Sequence, residues 1–260
     1  MHELFQLSTY AVKKASEVIL KYYNSSYEVK MKGTGNPVTD ADIEADDIIK
    51  EILMSETSGF GWLSEETRDS KARLDKNMVW VVDPLDGTKE FVEGIPNFVI
   101  SIGLVEDGEP ILGIIYNPIS KDLFSAYKND GIKVNGIKCV ISDKIDFSQM
   151  SMLNSRSETK SGLWKSYQKY FKNLIPIGSI AYKLAMVSAN RADMVASLKP
   201  KNEWDICAGH CLINESGGKL VTSLGKEIKY NNPNTLITPG LVAGNYEAVD
   251  HMLKLIKQTN

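Results

Sequence analysis

The sequence is poor in the features that most often announce a function. It has only three cysteines, Cys139, Cys207 and Cys211, and no CxxC pair. That implies no disulfide framework and fits a reducing, cytoplasmic setting. Cys207 and Cys211 are four apart, on one face if helical, but nothing nearby completes a soft metal site. Small buried hydrophobes is the simpler reading of the pair. Histidine is as scarce: His2 and His251 have no partner cluster, and His210, on the predicted helix after Trp204-Asp205, reads as a packing residue. A dominant charge is missing too, with 30 basic against 33 acidic residues and a net charge of -3. The basic stripe that a long polyanion requires is absent, and the aromatic residues are not interleaved with bases, so no nucleic acid polymer is expected as partner. No run approaches the roughly 18 apolar residues of a membrane span. The N-terminal MHELFQLSTYAVKK has no basic segment followed by an apolar core, so it does not read as a signal peptide. No internal repeat, low-complexity tract or long linker interrupts the chain.

What is present is a chain of 260 residues, 43% hydrophobic and 24% charged, enough for one large domain or two tightly joined halves. Apolar residues from Leu4 to Tyr22 recur at helical spacing and predict a helix over 3–23. Lys30 to Pro37, with Gly33 and Gly35, reads as a loop. Thr39 is placed to cap a second helix with Ile43, Ile48, Ile49 and Ile52 on its buried side. Strands are expected over Phe60 to Leu63 and Met78 to Val82. A hairpin over 99–116 is expected to turn at Asp107-Gly108, with a further strand from Leu123 to Tyr127. Beyond residue 150 strands and helices alternate. Strands are expected at MSML, Leu174 to Ile177, Met194 to Leu198 and Leu236 to Ala243. Helices are expected across Trp164 to Phe171, from the Ser179 cap to Asn190, from Asp205 to Glu215 and from Tyr246 onward. The layout predicts an N-terminal α+β half (1–145) with a largely antiparallel sheet and a C-terminal α/β half (146–260) sharing an interface.

DPLDGTKEF, residues 83–91, follows directly on the apolar run Met78 to Val82. Pro84 stiffens the turn, Gly87 permits a close backbone approach, and the two aspartates span a tight turn. Read alone, this segment is functional. Other acids also fall at the ends of elements. Glu65 closes one strand, and Asp42 lies within the acid-rich stretch Asp40 to Asp47. Asp205 begins a helix after Trp204. Taken singly, the 40–47 cluster is a solvated helix start, Glu65 and Glu66 are as readily a surface loop, and Asp205 is an N-cap. Taken together in one cleft, these carboxylates would repel strongly without a cation, and all-oxygen ligation selects Mg²⁺, then Mn²⁺.

VTDAD, SEE, DPLDGTKEF and EWDICAGH resemble, in order and across nearly the whole chain, the signatures of the inositol monophosphatase superfamily of Mg²⁺-dependent, lithium-sensitive phosphatases. The resemblance implies a layered α-β-α-β-α sandwich (α+β and α/β) with the metal site between the halves. It implies Glu65, Asp83, Asp86, Asp205 and the Leu85 carbonyl as ligands of two or three Mg²⁺ ions, with Asp83 bridging. Thr88, with Asp42 and Glu65, looks like the catalytic group that activates water. Gly87, Thr88, Lys89, Gly178, Ser179 and Asp205 look like substrate contacts. The substrate is then a small phosphorylated metabolite, attacked directly by water without a phosphoenzyme.

Within the superfamily, DGTKEF, GSIAYKLAMVSANRAD and WDICAGH resemble the CysQ-like 3'(2'),5'-bisphosphate nucleotidases. That branch hydrolyses adenosine 3',5'-bisphosphate to AMP in support of sulfur assimilation. Lys89 would then add positive potential for a second phosphate, although a plain surface lysine is the alternative. The acid that inositol-specific enzymes place shortly before Trp-Asp is replaced by Ser197, Leu198 and Lys199. EGIPNFVISIGLV is equally similar to the inositol-1-monophosphatase branch, which is the alternative activity. A related sugar phosphatase, or a metal- or phosphate-binding protein without turnover, is more remote. Both monomers and homodimers occur among such proteins.

Overall fold

The computed structural model describes residues 1–23, 29–33 and 36–259. The helical spacing of the N-terminal segment gives α1 (His2–Tyr23), which buries Ala11, Val12, Ala15 and Ile19. β1 (Val29–Gly33) and β2 (Asn36–Thr39) pair antiparallel. Residues 30–33 and 36–37, expected as a loop, are therefore paired strand instead. Gly35 lies outside the described residues.

Thr39 takes the N-cap position of α2 (Asp40–Glu56) as expected, and Ile49 is buried with Ile52 packed against the core, but the buried face is wider than the isoleucines predict. Ile43 is exposed, whereas Ala41, Asp42, Ala45, Asp46, Ile49 and Leu53 are buried. Small residues let α2 lie close against α1, and the two aspartates face inward because polar partners await them there.

β3 (Gly61–Ser64), β4 (Met78–Asp86), β5 (Val99–Glu106), β6 (Glu109–Tyr116), β7 (Leu123–Tyr127), β8 (Lys133–Val134) and β9 (Ile137–Lys138) form a seven-stranded sheet in sequence order. A short helix, α3 (Thr88–Val92), joins β4 to β5. Only β3 and β4 are parallel in this sheet. The hairpin turns at Asp107 and Gly108, both at positive φ (50° and 83°), as a tight two-residue turn requires.

β10 (Ser151–Ser155), α4 (Arg156–Lys160), β11 (Asn173–Ile177), α5 (Ile180–Ser188), β12 (Met194–Ser197), β13 (Lys201–Asn202), α6 (Glu203–Glu215), β14 (Lys219–Thr222), β15 (Leu236–Ile237), β16 (Leu241–Gly244) and α7 (Tyr246–Thr259) complete the chain. Five of these strands form a mixed sheet in the order β11-β10-β12-β16-β14. The helix expected across Trp164 to Phe171 is instead a series of turns, such as that closed by the Tyr167 N–H on the Trp164 carbonyl. Trp164, Tyr167 and Phe171 are all buried in the core beside Met150 and Met152, and that packing outweighs local helical spacing. The strand expected over Leu236 to Ala243 is divided around Pro239, which has no N–H for a ladder, and its parts join different sheets.

The layers run α1 and α2, seven-stranded sheet, α5 and α6, five-stranded sheet, α7. This is the α-β-α-β-α sandwich. α6 presses onto the seven-stranded sheet where β5 and β6 carry Gly103 and Gly113. A Cβ at these positions would meet Cys207 Sγ at 2.6 Å and the Ala208 carbonyl oxygen at 2.3 Å. The close approach brings the N-terminal turn of α6 to the ends of β3 and β4. It also buries Cys207 and Cys211 as free thiols within the core.

Candidate active site

The site begins with two parallel strands that end level. β3 and β4 pair in register, Ser64 opposite Val82, and the Glu65 N–H donates to the Val82 carbonyl at 3.2 Å. Glu65 and Asp83 therefore emerge side by side. β4 does not stop at Asp83 but continues to Asp86 through a register shift, with Asp83 opposite Ser101 and Asp86 opposite Val99. Residues three apart face opposite sides of a regular strand. The extra residue resets the alternation, so both aspartates line one cleft, and Pro84 is tolerated at the irregularity. The cleft holds about 820 Å³, the size class of a small-molecule site.

Asp205 arrives from α6. It is not the N-cap, which is Asn202; from the third position of the first turn its Oδ2 accepts the Asn202 N–H at 2.7 Å, as in a capping box. Ligand oxygens of Glu65, Asp83 and Asp205 all lie within 4.8 Å of one another. Asp83 is 1% exposed. Burial pushes its carboxyl well above the ordinary range, and Glu65, Asp86 and Asp205 push it further. Burial, then Asp86 and Glu65, raise Asp205 to about 8. An all-oxygen, like-charged set in so small a volume fits a hard divalent cation, which removes the repulsion that otherwise holds protons on these acids.

Asp86 stands beside this triad rather than within it. Its Oδ2 accepts the Ser179 hydroxyl at 2.7 Å and the Ala181 N–H at 2.6 Å. Burial raises its pKa and these two bonds oppose the rise. Asp42, from the buried face of α2, accepts the Thr39 N–H at 2.8 Å and the Thr39 hydroxyl at 2.6 Å on Oδ2. Its Oδ1 accepts the Thr88 hydroxyl at 2.9 Å, and the Leu85 carbonyl lies 3.1 Å from the same hydroxyl. Thr88 has one proton and two acceptors inside the protein, so its oxygen remains an acceptor for a proton from the cleft. The Leu85 N–H donates to Asp83 Oδ1 at 3.0 Å and holds the bulge closed.

Gly87, Thr88, Lys89, Gly178, Ser179 and Asp205 all line the cleft, Lys89 as an exposed residue. Sequence reasoning missed several further residues. Asp46 accepts hydroxyls from Ser64 and Thr67 and so braces the Glu65 loop. Arg156, Lys160 and Lys201 form a basic wall from the C-terminal half, with Arg156 paired to Glu90 and Glu93 at 2.7 Å each. Lys183 lies at the cleft floor, 3% exposed. Only Asp46 carried a signal, as one acid of a cluster richer than capping needs. His210 is confirmed as a packing residue: its Nδ1 lies 2.9 Å from the Tyr230 hydroxyl, and burial lowers its pKa to about 4. Among the described residues no helix is long and apolar enough to cross a membrane.

A family model described as the inositol monophosphatase family matches residues 1–259. Nus factor SuhB of Pasteurella multocida is 28% identical over 99% of this chain and 97% of its own length. The inositol-1-monophosphatase of Caulobacter vibrioides is 31% identical over 82% of this chain and 86% of its own. The crystal structure of extragenic suppressor protein suhB from Bartonella henselae superposes with a TM-score of 0.88, at 27% identity, covering 98% of both chains.

Proposed function

The chain belongs to the inositol monophosphatase family and is a metal-dependent phosphoric monoester hydrolase, and on that premise we propose that it releases phosphate from inositol monophosphates. The Caulobacter relative of that name supports this substrate, which ranks above the nucleotide suggested by DGTKEF. The observation that carries the chemistry is the triad of Glu65, Asp83 and Asp205 beside the Thr88–Asp42 hydrogen bond.

In this proposal the cleft lies between an N-terminal half (1–145) and a C-terminal half (146–260). Glu65, Asp83, Asp86, Asp205 and the Leu85 carbonyl would hold two or three Mg²⁺ ions, with Mn²⁺ as a substitute. Bound there, the ions supply Lewis acidity for the attacking water and the leaving oxygen. Thr88 accepts a proton from the attacking water and passes its own to Asp42, with Glu65 as the second orienting acid. Gly87 and Thr88 hold the phosphate, and Gly178, Ser179 and Lys89 border the rest of the substrate. Water attacks in line, and no phosphoenzyme forms. Inhibition by millimolar Li⁺ and a cytoplasmic setting accompany this reading.

A second reading, the 3'(2'),5'-bisphosphate nucleotidase of sulfur assimilation, is favoured by the basic wall of Arg156, Lys160 and Lys201. The segment Ser197 to Lys199 supplies no acid for ring hydroxyls. Glu158 beneath it is 1% exposed and occupied by the Ser197 hydroxyl and the N–H groups of Leu198 and Lys199. Phosphate release from inositol 1-phosphate and adenosine 3',5'-bisphosphate, compared by kcat/KM with Mg²⁺ present, decides between them. A higher value for the inositol ester is expected. Preference for the bisphosphate transfers the assignment to the second reading, and inactivity on both overturns both.

A further inference from the structure

Lys183, 3% exposed at the cleft floor, turns its side chain inward. Its Nζ donates to the carbonyls of Ile177, Gly178 and Ser179 at 3.0, 3.1 and 3.0 Å. An ammonium has three protons, and here three main-chain oxygens of one turn take them. The turn needs such a hold. Ser179 has a φ of 52°, a left-handed conformation unusual for a residue with a side chain. Gly178 is pressed so closely on Glu90 that a Cβ there would lie 1.8 Å from the Glu90 carboxyl carbon. This turn then delivers the Ser179 hydroxyl and the Ala181 N–H to the same oxygen of Asp86. The Ser179 oxygen meanwhile accepts the Tyr182 N–H at 3.0 Å, which fixes its proton toward Asp86.

We propose that Lys183 is a positioning residue of the metal site: by binding three carbonyls of the 177–179 turn, it holds Ser179 and Ala181 on Oδ2 of Asp86 and so aims the other carboxylate oxygen at the cation cluster. Helix α5 is thereby part of the metal centre, although none of its side chains ligates. The ammonium also lies on the Asp86 and Glu90 side of the turn, inside the protein.

The inference rests on the proposed role of Asp86 as a ligand, and the experiment separates the two. Mn²⁺ is titrated calorimetrically, without substrate, into metal-free wild type, Asp86→Asn, Lys183→Met and Lys183→Gln, with thermal unfolding recorded for each. Lys183→Met is expected to weaken Mn²⁺ binding roughly 10-fold or more, in the range of residues that orient a ligand. Lys183→Gln, which keeps two donors, is expected to weaken it less, and it serves alone should the methionine variant fail to fold. Folded Lys183 variants that bind Mn²⁺ within about two-fold of wild type, while Asp86→Asn binds poorly, overturn the role of Lys183. Wild-type binding by Asp86→Asn overturns the ligand assignment itself. A purely structural lysine would lower the melting temperature and leave Mn²⁺ affinity per folded molecule unchanged.

Discussion

Two groups of carboxylates in the protein are surrounded in different ways. Glu158 receives the Trp164 indole N–H at 2.9 Å, the Ser197 hydroxyl at 2.6 Å and the N–H groups of Leu198 and Lys199 at 3.2 Å. Glu203 receives the Asn231 N–H at 2.7 Å, the Asn232 N–H at 2.9 Å and the Asn232 amide at 2.8 Å. Neutral donors replace the lost water around each, and for Glu203 they oppose the upward push of burial. Glu65, Asp83 and Asp205 instead face one another, and the Coulomb contributions from neighbouring acids add to the effect of burial on Asp83 and Asp205. Burial of an acid is therefore not the mark of function. A set of acids gathered within 4.8 Å of one another is, because a divalent cation completes that set.

The largest effect should come from breaking the unmatched set. Asp83→Asn is expected to lower turnover at least about 10³-fold, since it removes the central acid of the proposed metal site. It should also raise the melting temperature of the metal-free protein, because it relieves like-charge crowding. Kinetics and calorimetry in chelator check both, and a fall in that melting temperature would contradict the picture of uncompensated repulsion. Next comes Thr88→Ala, expected to reduce kcat by about 10²-fold through loss of the proton relay, with calorimetric Mn²⁺ affinity unchanged. Weakened metal binding with kcat intact would reassign Thr88 to the ligand scaffold.

The matched set should respond in the other sense. Glu158→Gln turns an amide toward N–H donors and is expected to cost about 1–3 kcal/mol of stability in denaturant unfolding, with Mn²⁺ affinity retained. Loss of metal binding without loss of stability would erase the distinction between the two sets. The smallest effect concerns His210, buried and lowered to about 4 from 6.5. Between these values the unfolded chain binds a proton that the folded one does not, so stability falls as pH falls through that window. Ring ¹⁵N shifts should show a neutral imidazole at pH 5.5, and a charged one there would refute the packing role.

The same contrasts separate what is legible in the sequence from what is not. The cleft carboxylates stand out because Asp83 and Asp86 share a turn with Pro84 and Gly87, a local combination with few other uses. α1 and the Asp107-Gly108 hairpin were equally local, resting on apolar spacing and on turn residues. On α2 the spacing of the isoleucines places Ile49 correctly but not Ile43, because it ignores that Asp42 and Asp46 find Thr88, Ser64 and Thr67 across the fold. The absent helix at 164–171 failed for a similar reason, since its aromatic residues answer to the core of the five-stranded sheet.

Sequence by itself determined the chemistry available: oxygen ligands, a hydroxyl next to them, and glycines where the backbone must bend. Tertiary structure alone decided which acids meet one another and which meet neutral donors. It made Lys183, ordinary in its helix, a buried cation, because three carbonyls of a turn lie within its reach. The reason is physical: a residue type specifies what a group can donate, accept or ionise, but its pKa and its role depend on partners that are distant in the chain.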